Sequence, residues 1–287
     1  MLRLFARLLL VKLAVLAGLS AAVVIAAARR FDREVAADRR RLLERPRPDH
    51  PPVVTEEMLA GLPEPARRYL RHAGVVGRPL VDTVRLRQRC RMRPGPGMPS
   101  FPLVAEQWYT VDPPGFIWDA TVPAEGLPLI RGRDGYVDGR GLMTIRLGSV
   151  VPFVDASGPE MDDASLLRHL SEMTWFPGAF LRSNVTWEAI DDSNVRVTLA
   201  DGDRRATGVL EMDIDGRLVA FRAERYAMVG KGFELRPWTA PTHEYGELAG
   251  LRLPVRGAAV WTLPDGSELE YITVELTELE LDPPLPA

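Results

Sequence analysis

The chain has 287 residues, 46% of them hydrophobic and 26% charged, with a net charge of −3. That is the composition of a globular protein, and the length allows one large domain or two small ones with a core that needs no disulfides. A single cysteine, Cys90, excludes an internal disulfide and any multi-cysteine metal site.

The charge is unevenly spread. Residues 1–45 hold ten basic residues against four acidic ones, a balance of +6. The remainder holds 26 against 35, a balance of −9. A duplex-binding domain needs a basic footprint to neutralise phosphates, so no nucleic-acid partner is expected of this acidic domain.

Residues 8–28, LLLVKLAVLAGLSAAVVIAAA, form a near-continuous apolar run. At ~1.5 Å per residue it is long enough to cross a hydrocarbon core. An uncleaved anchor over residues 1–30 and a cleaved signal peptide ending at Ala26-Ala27-Ala28 both fit. The length of the run and the Arg29-Arg30 that follows it favour the anchor. The expectation is a single-pass protein of the cytoplasmic membrane. Residues 31–54 read as a basic helical stalk followed by a proline-rich linker, RPRPDHPPV. The stalk's arginines are placed either against anionic headgroups or simply in solvent.

The soluble domain then runs over 55–287. Thr55-Glu56-Glu57 opens one short helix, and LPEPARRYLRHAG forms a second that stops at Gly74. From Val84 onward the period changes to two. Arginine stands at 85, 87, 89, 91 and 93, alternating with Leu86, Gln88, Cys90 and Met92. On a half-sheltered strand this places the apolar set on the core side and the arginines in water, with Glu106 and Asp119 as cross-strand partners. An anionic headgroup on the arginine row is the competing account. Further strands are expected at 103–111, 115–122, 128–137, 140–147, 184–190, 194–200, 205–214, 217–228, 233–236, 241–247, 254–262 and 268–281, joined by Asp/Gly/Asn turns into an antiparallel sheet. One helical stretch, 159–183, interrupts them, and Pro177 bends or ends it.

No phosphate loop, nucleophile elbow or histidine-rich metal motif is present, and neither a metal nor a cofactor is expected. Asp213-x-Asp215-Gly216 reads as a hairpin turn rather than a calcium loop. Glu160, Asp162, His169 and Glu172 lie on the inserted helix. They are explained either as dipole and surface-pair residues or as the acid–base groups of a hydrolase. TWFPGAFL (174–181) supplies Trp175 and Phe176, as core or as the lining of a ligand cavity shared with Trp108, Trp118 and Trp187.

With these motifs in place, the chain resembles an uncharacterised bacterial family whose members carry a single membrane span. The resemblance is carried by LPEPARRYLRHAGVVGRP (62–79), VRLRQRCRMRPGPG (84–97), GLPLIRGRDGYVDGRGLM (126–143), VPFVDASGPEMD (151–162), LSEMTWFPGAFL (170–181), TWEAIDD (186–192) and YGELAGLRLPVRGAAVWTLPDG (245–266). It brings no established activity. At the level of fold, the terminal pattern Tyr245, Gly250-Leu251, Leu253-Pro254 and Asp265-Gly266 also resembles the lipoprotein-carrier (LolA/LolB-like) half-barrel. That resemblance implies a site for a lipid or acyl chain beneath the helix. The positive-inside rule places the domain in the cytoplasm and the carrier resemblance places it outside, so the side stays open.

The expectation is therefore a mainly β (α+β) fold. It comprises a large curved antiparallel half-barrel with one inserted capping helix, two short N-terminal helices and an N-terminal transmembrane helix. The leading functional reading is a membrane-tethered module for a lipid-like small molecule, with Trp108, Trp118, Trp175 and Phe176 as contact area and Arg131 and Arg133 at the mouth. The alternatives are the hydrolase above and a scaffold protein exposing an apolar patch; the sequence names no protein partner.

Overall fold

The computed structural model describes residues 2–44, 51–124, 127–230 and 232–285. Thirteen strands form one antiparallel sheet in the order β6-β5-β4-β3-β2-β1-β13-β12-β11-β10-β9-β8-β7. They are β1 (Thr83–Met92), β2 (Phe101–Thr110), β3 (Gly115–Ala124), β4 (Leu127–Val137), β5 (Arg140–Leu147), β6 (Val151–Ser157), β7 (Val185–Ala189), β8 (Asn194–Asp201), β9 (Arg204–Met212), β10 (Leu218–Val229), β11 (Gly232–Leu248), β12 (Leu251–Thr262) and β13 (Glu268–Leu281). Two meanders, β1–β6 and β7–β13, meet where β1 pairs with β13. Short turn-rich connections make each meander, because antiparallel neighbours need only a hairpin.

The helices are α1 (Leu2–Leu43), α2 (Glu56–Leu59), α3 (Glu64–Ala73) and α4 (Pro159–Glu172). The helix α3 ends at Gly74, whose φ of 79° needs the left-handed freedom of glycine. Between β6 and β7, at the two far edges of the sheet, the chain crosses as α4 followed by short 3-10 turns at Met173–Trp175 and Pro177–Leu181. Phe176 leaves the helical region (φ −141°, ψ 66°), as a residue before proline is driven to do. The expected helix 159–183 is thus one helix and two turns.

The sheet curls around α4, which packs on β3–β6 from one side and β8–β10 from the other. Ten of its fourteen residues are buried, among them Leu166, Leu167 and Leu170. At roughly 1.5–3 kcal/mol for each leucine fully buried, α4 is the centre of the core and not a cap over it. It comes so near β5 that a Cβ at Gly141 would collide with the Met161 backbone carbonyl, and the Gly141 amide donates to Asp162 Oδ1 at 2.7 Å.

Two strand expectations change. The run 151–157 forms β6, an edge strand that lacks a buried set of residues and so carries little periodic signal. The segments 233–236 and 241–247 belong to one strand, β11, despite Pro237 and Pro241. Its pairing with β12 is irregular between Thr242 and Tyr245, where bulges absorb lost ladder bonds.

The expected stalk differs most. The helix α1 continues unbroken to Leu43, and its C-terminal half lies on the convex face of β2–β4. Phe31, Val35, Leu42 and Leu43 bury there with Trp108, Ile117 and Val137 as a second core. Three acids of this half meet arginines of the sheet. Asp32 accepts from Arg131 Nη1 at 2.8 Å, Asp38 lies 3.2 Å from Arg133 and Glu34 accepts from Arg146 at 3.2 Å. Burial pushes the Asp38 carboxyl above its ordinary value, against the opposing pull of Arg133. Arg29, Arg30, Arg33 and Arg40 take the exposed side, while Arg39 reaches Glu106 and lies over Trp108. Because Asp32 meets Arg131, Asp38 meets Arg133 and Arg41 meets Asp138, α1 runs in the direction of β4. Its N-terminal half therefore leaves the sheet at the β5–β6 turn.

The apolar run 8–28 falls on α1, but the side chains of residues 2–11 and 13–21 lie outside the described residues, as does the linker 45–50. Among the described residues, no helix is long and apolar enough to cross a membrane.

Candidate functional site

Alternation along the strands assigns each side chain to the concave or convex face. The concave set of β1 is Val84, Leu86, Gln88, Cys90 and Met92. That of β2 is Tyr109, Gln107, Ala105, Leu103 and Phe101, and that of β3 is Phe116, Trp118, Ala120 and Val122. All of them are buried except the last on each strand. Val84, Leu86, Tyr109 and Phe116 are wholly buried, whereas Met92, Phe101 and Val122, at the far ends, are partly exposed. The neighbouring concave residues Ile272, Val274, Tyr271 and Trp261 are partly exposed as well. The helix thus fills one half of the curl and leaves an apolar trough in the other, at the end where α1 departs.

The trough has a charged floor. Ala164, Arg168 and Glu172 lie four apart on one face of α4, looking at the middle rows of the sheet. Arg168 donates to Asp134 Oδ2 of β4 at 2.5 Å and to Glu172 Oε1 at 2.8 Å. Glu172 Oε2 also accepts from Gln107 Nε2 and from the Tyr109 hydroxyl, each at 2.9 Å. The guanidinium lies over Phe116 and Trp118, 4.9 and 5.1 Å from the ring centres. Trp118 Nε1 donates to Gln88 Oε1 at 2.8 Å, which extends the network to β1.

Burial alone would depress the Arg168 guanidinium, but Glu172 and then Asp134 more than offset it and raise it above its usual range. For Asp134 the balance goes the other way. Burial raises its carboxyl despite Arg168 and Arg225. Burial also pushes the Cys90 thiol up to about 12, so it is no nucleophile at neutral pH.

Of the six residues expected to line a cavity, Trp118 and Phe176 are buried on the concave side and Trp175 packs against that core. Trp108, Arg131 and Arg133 lie on the convex face and hold α1: Trp108 in the second core, the two arginines by their ion pairs. An even offset along β4 separates both arginines from Gly135, the partner of Ile117, and puts them opposite in phase to Asp134.

The four expected acid–base residues do not share a cleft. Glu160 is exposed. Asp162 is held by Arg204 at 2.6 Å and by the Gly141 amide. His169, fully buried, is enclosed by the rings of Tyr109, Phe116 and Phe176, and Glu172 belongs to the floor network. His169 and Glu172 are therefore an interior pair of neighbours, not a surface pair. Burial lowers the imidazole to about 3, and the Gly115 backbone offsets this only weakly; neither ring nitrogen makes a hydrogen bond of normal geometry. Asp213 forms the expected hairpin turn, accepting from the amides of Asp215 and Arg217.

The arginine row lies on the convex face. Arg85 pairs with Glu106 and Glu280, and Arg87 with the same Glu106 and Glu278. The expected acid Glu106 is thus a partner of the row, whereas Asp119 pairs with Arg131. A shallow groove of about 260 Å³ crosses the far end of the row, by Arg89, Arg91, Arg256 and Glu275.

Sequence reasoning missed the floor residues Arg168, Asp134 and Arg225. Their one signal was polarity at positions in phase with apolar neighbours, as in Trp118-Asp134 across β3 and β4.

The fold and its interior define the class: an open, curled antiparallel sheet wound on a buried helix, with a trough beside it. The chain belongs to the family of unknown function DUF6544, whose model matches residues 52–274. Among solved structures, it is similar to a DUF1329 family protein from Desulfovibrio piger, at 10% identity and a TM-score of 0.44, over 78% of this chain and 92% of that one. It is also similar to a putative outer membrane lipoprotein-sorting protein domain from Vibrio parahaemolyticus, at 10% identity and a TM-score of 0.37, over 71% and 87%. No curated protein matches it.

Proposed function

We propose that the protein is a membrane-tethered binding module whose open trough receives the apolar chain of a lipid-like molecule. The carrying observation is at the far end of the concave face: Met92, Phe101, Val122, Trp261, Ile272 and Val274 point inward and pack against the core, yet stay partly exposed. Large apolar side chains on a concave surface mark a binding groove more often than an accident of folding. Relative to the expected cavity, the reading moves from beneath the helix to the space beside it.

Tethering rests on the apolar run 8–28. It is supported by the exposed Val23, Val24 and Ile25 on the described part of α1. At the same end, the β5–β6 hairpin exposes Leu147, Val150, Val151 and Phe153, the last 81% accessible. An anchor in a cell membrane would then turn the open end of the trough toward the bilayer, the source of its ligand.

The test is native mass spectrometry of the full chain released from detergent micelles, followed by lipid identification. Wild-type protein should retain lipid-like adducts, and Met92→Trp or Val274→Trp, which fill the trough, should lose them. Adducts that are absent, or that survive both fillings, would sink the reading.

A further inference from the structure

Arg225 stands at the head of the trough, on β10. Only 8% of it is exposed, yet among the described residues no carboxylate lies within ion-pair distance of it. Its Nε donates to the Ala164 carbonyl at 3.3 Å and its Nη1 to the Tyr271 hydroxyl at 3.1 Å, both neutral acceptors. Its Nη2 has no hydrogen-bond partner among the described residues. The guanidinium rests against Trp238 and Trp261, at 5.2 and 5.8 Å from the ring centres, and Trp238 Nε1 donates to the same Tyr271 hydroxyl at 3.2 Å. Two indoles and a phenol position the cation without a direct ion pair.

A buried charge is ordinarily paired, because leaving water costs several kcal/mol that neutral partners recover only in part. The nearby carboxylate, Asp134, feels the charge of Arg225, but its contact is with Arg168, at 2.5 Å through Oδ2. The cross-strand partner of Arg225 makes matters worse. It is Arg236, on the same concave face, and like charges placed directly opposite each other repel. Arg236 is half-buried and spends its Nε and Nη2 on Glu234 Oε2, at 3.2 and 2.7 Å, which offsets one of the two positive charges. Arg168, Arg225 and Arg236 are matched in number by Asp134, Glu172 and Glu234, but each of these carboxylates makes its contact with Arg168 or Arg236, and the Arg225 guanidinium touches none of them.

We propose that Arg225, with Arg236 beside it, receives the anionic head of the trough's ligand, a carboxylate or a phosphate carried on an acyl chain. The guanidinium's free Nη2 edge supplies the charge-assisted hydrogen bonds such a head requires. The chain then lies along Tyr271, Ile272 and Met92 toward the open end. This assignment rests on the trough being a binding site and adds the chemical class of what enters it.

Photo-crosslinking of the full chain in nanodiscs tests it. Three probes share one diazirine-bearing acyl chain and differ in the head: a carboxylate, a phosphate monoester and a neutral alcohol. The anionic probes should label peptides of β1 and β12–β13 in wild-type protein. Arg225→Met should cut that labelling about tenfold or more, as expected for a lost charge-assisted contact, with Arg225→Lys intermediate. The alcohol should label wild-type and variant alike, which also reports an intact trough. Arg236→Gln, at a more exposed position, should weaken anionic labelling and spare the alcohol's.

Anionic labelling unchanged in Arg225→Met would overturn the head-group site and leave the trough standing. Loss of labelling at the trough peptides for all three probes in wild-type protein would overturn both. Displacement of the anionic probes by inorganic phosphate alone would make a small free anion the ligand and overturn the amphiphile.

Discussion

Asp32 on α1 accepts a hydrogen bond from Arg131 on β4 at 2.8 Å, and this bond ties a helix that begins in an apolar run to the convex face of the sheet. Two further acids, Glu34 and Asp38, continue the seam onto Arg133 and Arg146, and Phe31 lies under the guanidiniums of Arg131 and Arg146. The helix and the domain should therefore move as one body.

Replacing Asp32 and Asp38 by Asn should loosen that seam. Each pair is partly solvated, so each change should cost about 0.5–1 kcal/mol. Trypsin cleavage at Arg33 and Arg40 should accelerate while the sheet's melting temperature changes little, since the opening is local. Unaltered cleavage in the Asn variants would show that the apolar contacts of Phe31, Val35 and Leu42 hold α1 by themselves.

The floor network predicts a large asymmetry. Arg168→Met leaves Asp134 and Glu172 buried without their cation and should destabilise the fold by about 3–5 kcal/mol, read by chemical denaturation. Adding Asp134→Asn and Glu172→Gln removes the stranded charges and should recover part of the loss. No recovery would mean that packing against Phe116 and Trp118, not charge, is what Arg168 supplies.

His169 should make stability depend on acid pH. Its folded-state value of about 3 lies below the unfolded value near 6.5, so the unfolded chain binds the extra proton in between. Its contribution is complete above about pH 6.5 and is lost as pH falls toward 3, at up to ~1.4 kcal/mol per unit. Denaturation of His169→Leu across this window should show a shallower slope than wild type; identical slopes would contradict the buried neutral imidazole.

Gly141→Ala should push α4 away from β5. The new methyl meets the Met161 carbonyl and threatens the Gly141–Asp162 hydrogen bond of 2.7 Å. A loss of about 1–3 kcal/mol is expected, the range for overpacking a tight contact. A neutral outcome would show that the start of α4 shifts freely.

The convex arginine row should be structural. Arg87→Ala should change stability by less than about 1 kcal/mol, because its pairs with Glu106 and Glu278 are solvated. Arg87→Glu with Arg89→Glu should leave liposome binding of the full chain unchanged. A marked fall would assign the row, with its adjoining groove at Arg89 and Arg256, to headgroups after all.

Local pattern was enough for much of the fold. The alternation of Arg85–Met92 marked β1 and its two faces, Gly74 marked the end of α3, and Asp213-Gly216 marked a hairpin, because each is settled by steric and hydrogen-bonding rules within a few residues. The edge strand β6 escaped because it buries no set of residues on either face, and an edge has no period to read. The candidate site was legible only in part. Trp118 and Phe176 were found as apolar bulk, but Arg168 and Arg225 look in sequence like any other surface arginine.

From sequence alone come the antiparallel β character, the inserted helix, the apolar run and the family likeness, since these depend on residue order and neighbours. Tertiary structure decided what faces what. Curling the sheet around α4 joins Asp134, Gln107 and Arg168, which are 34 and 61 positions apart, and turns Arg131 and Arg133 outward onto α1. The reason is that a strand's period states only that two faces exist. Which face is interior is fixed by the sense in which the whole sheet bends, and that depends on every strand at once.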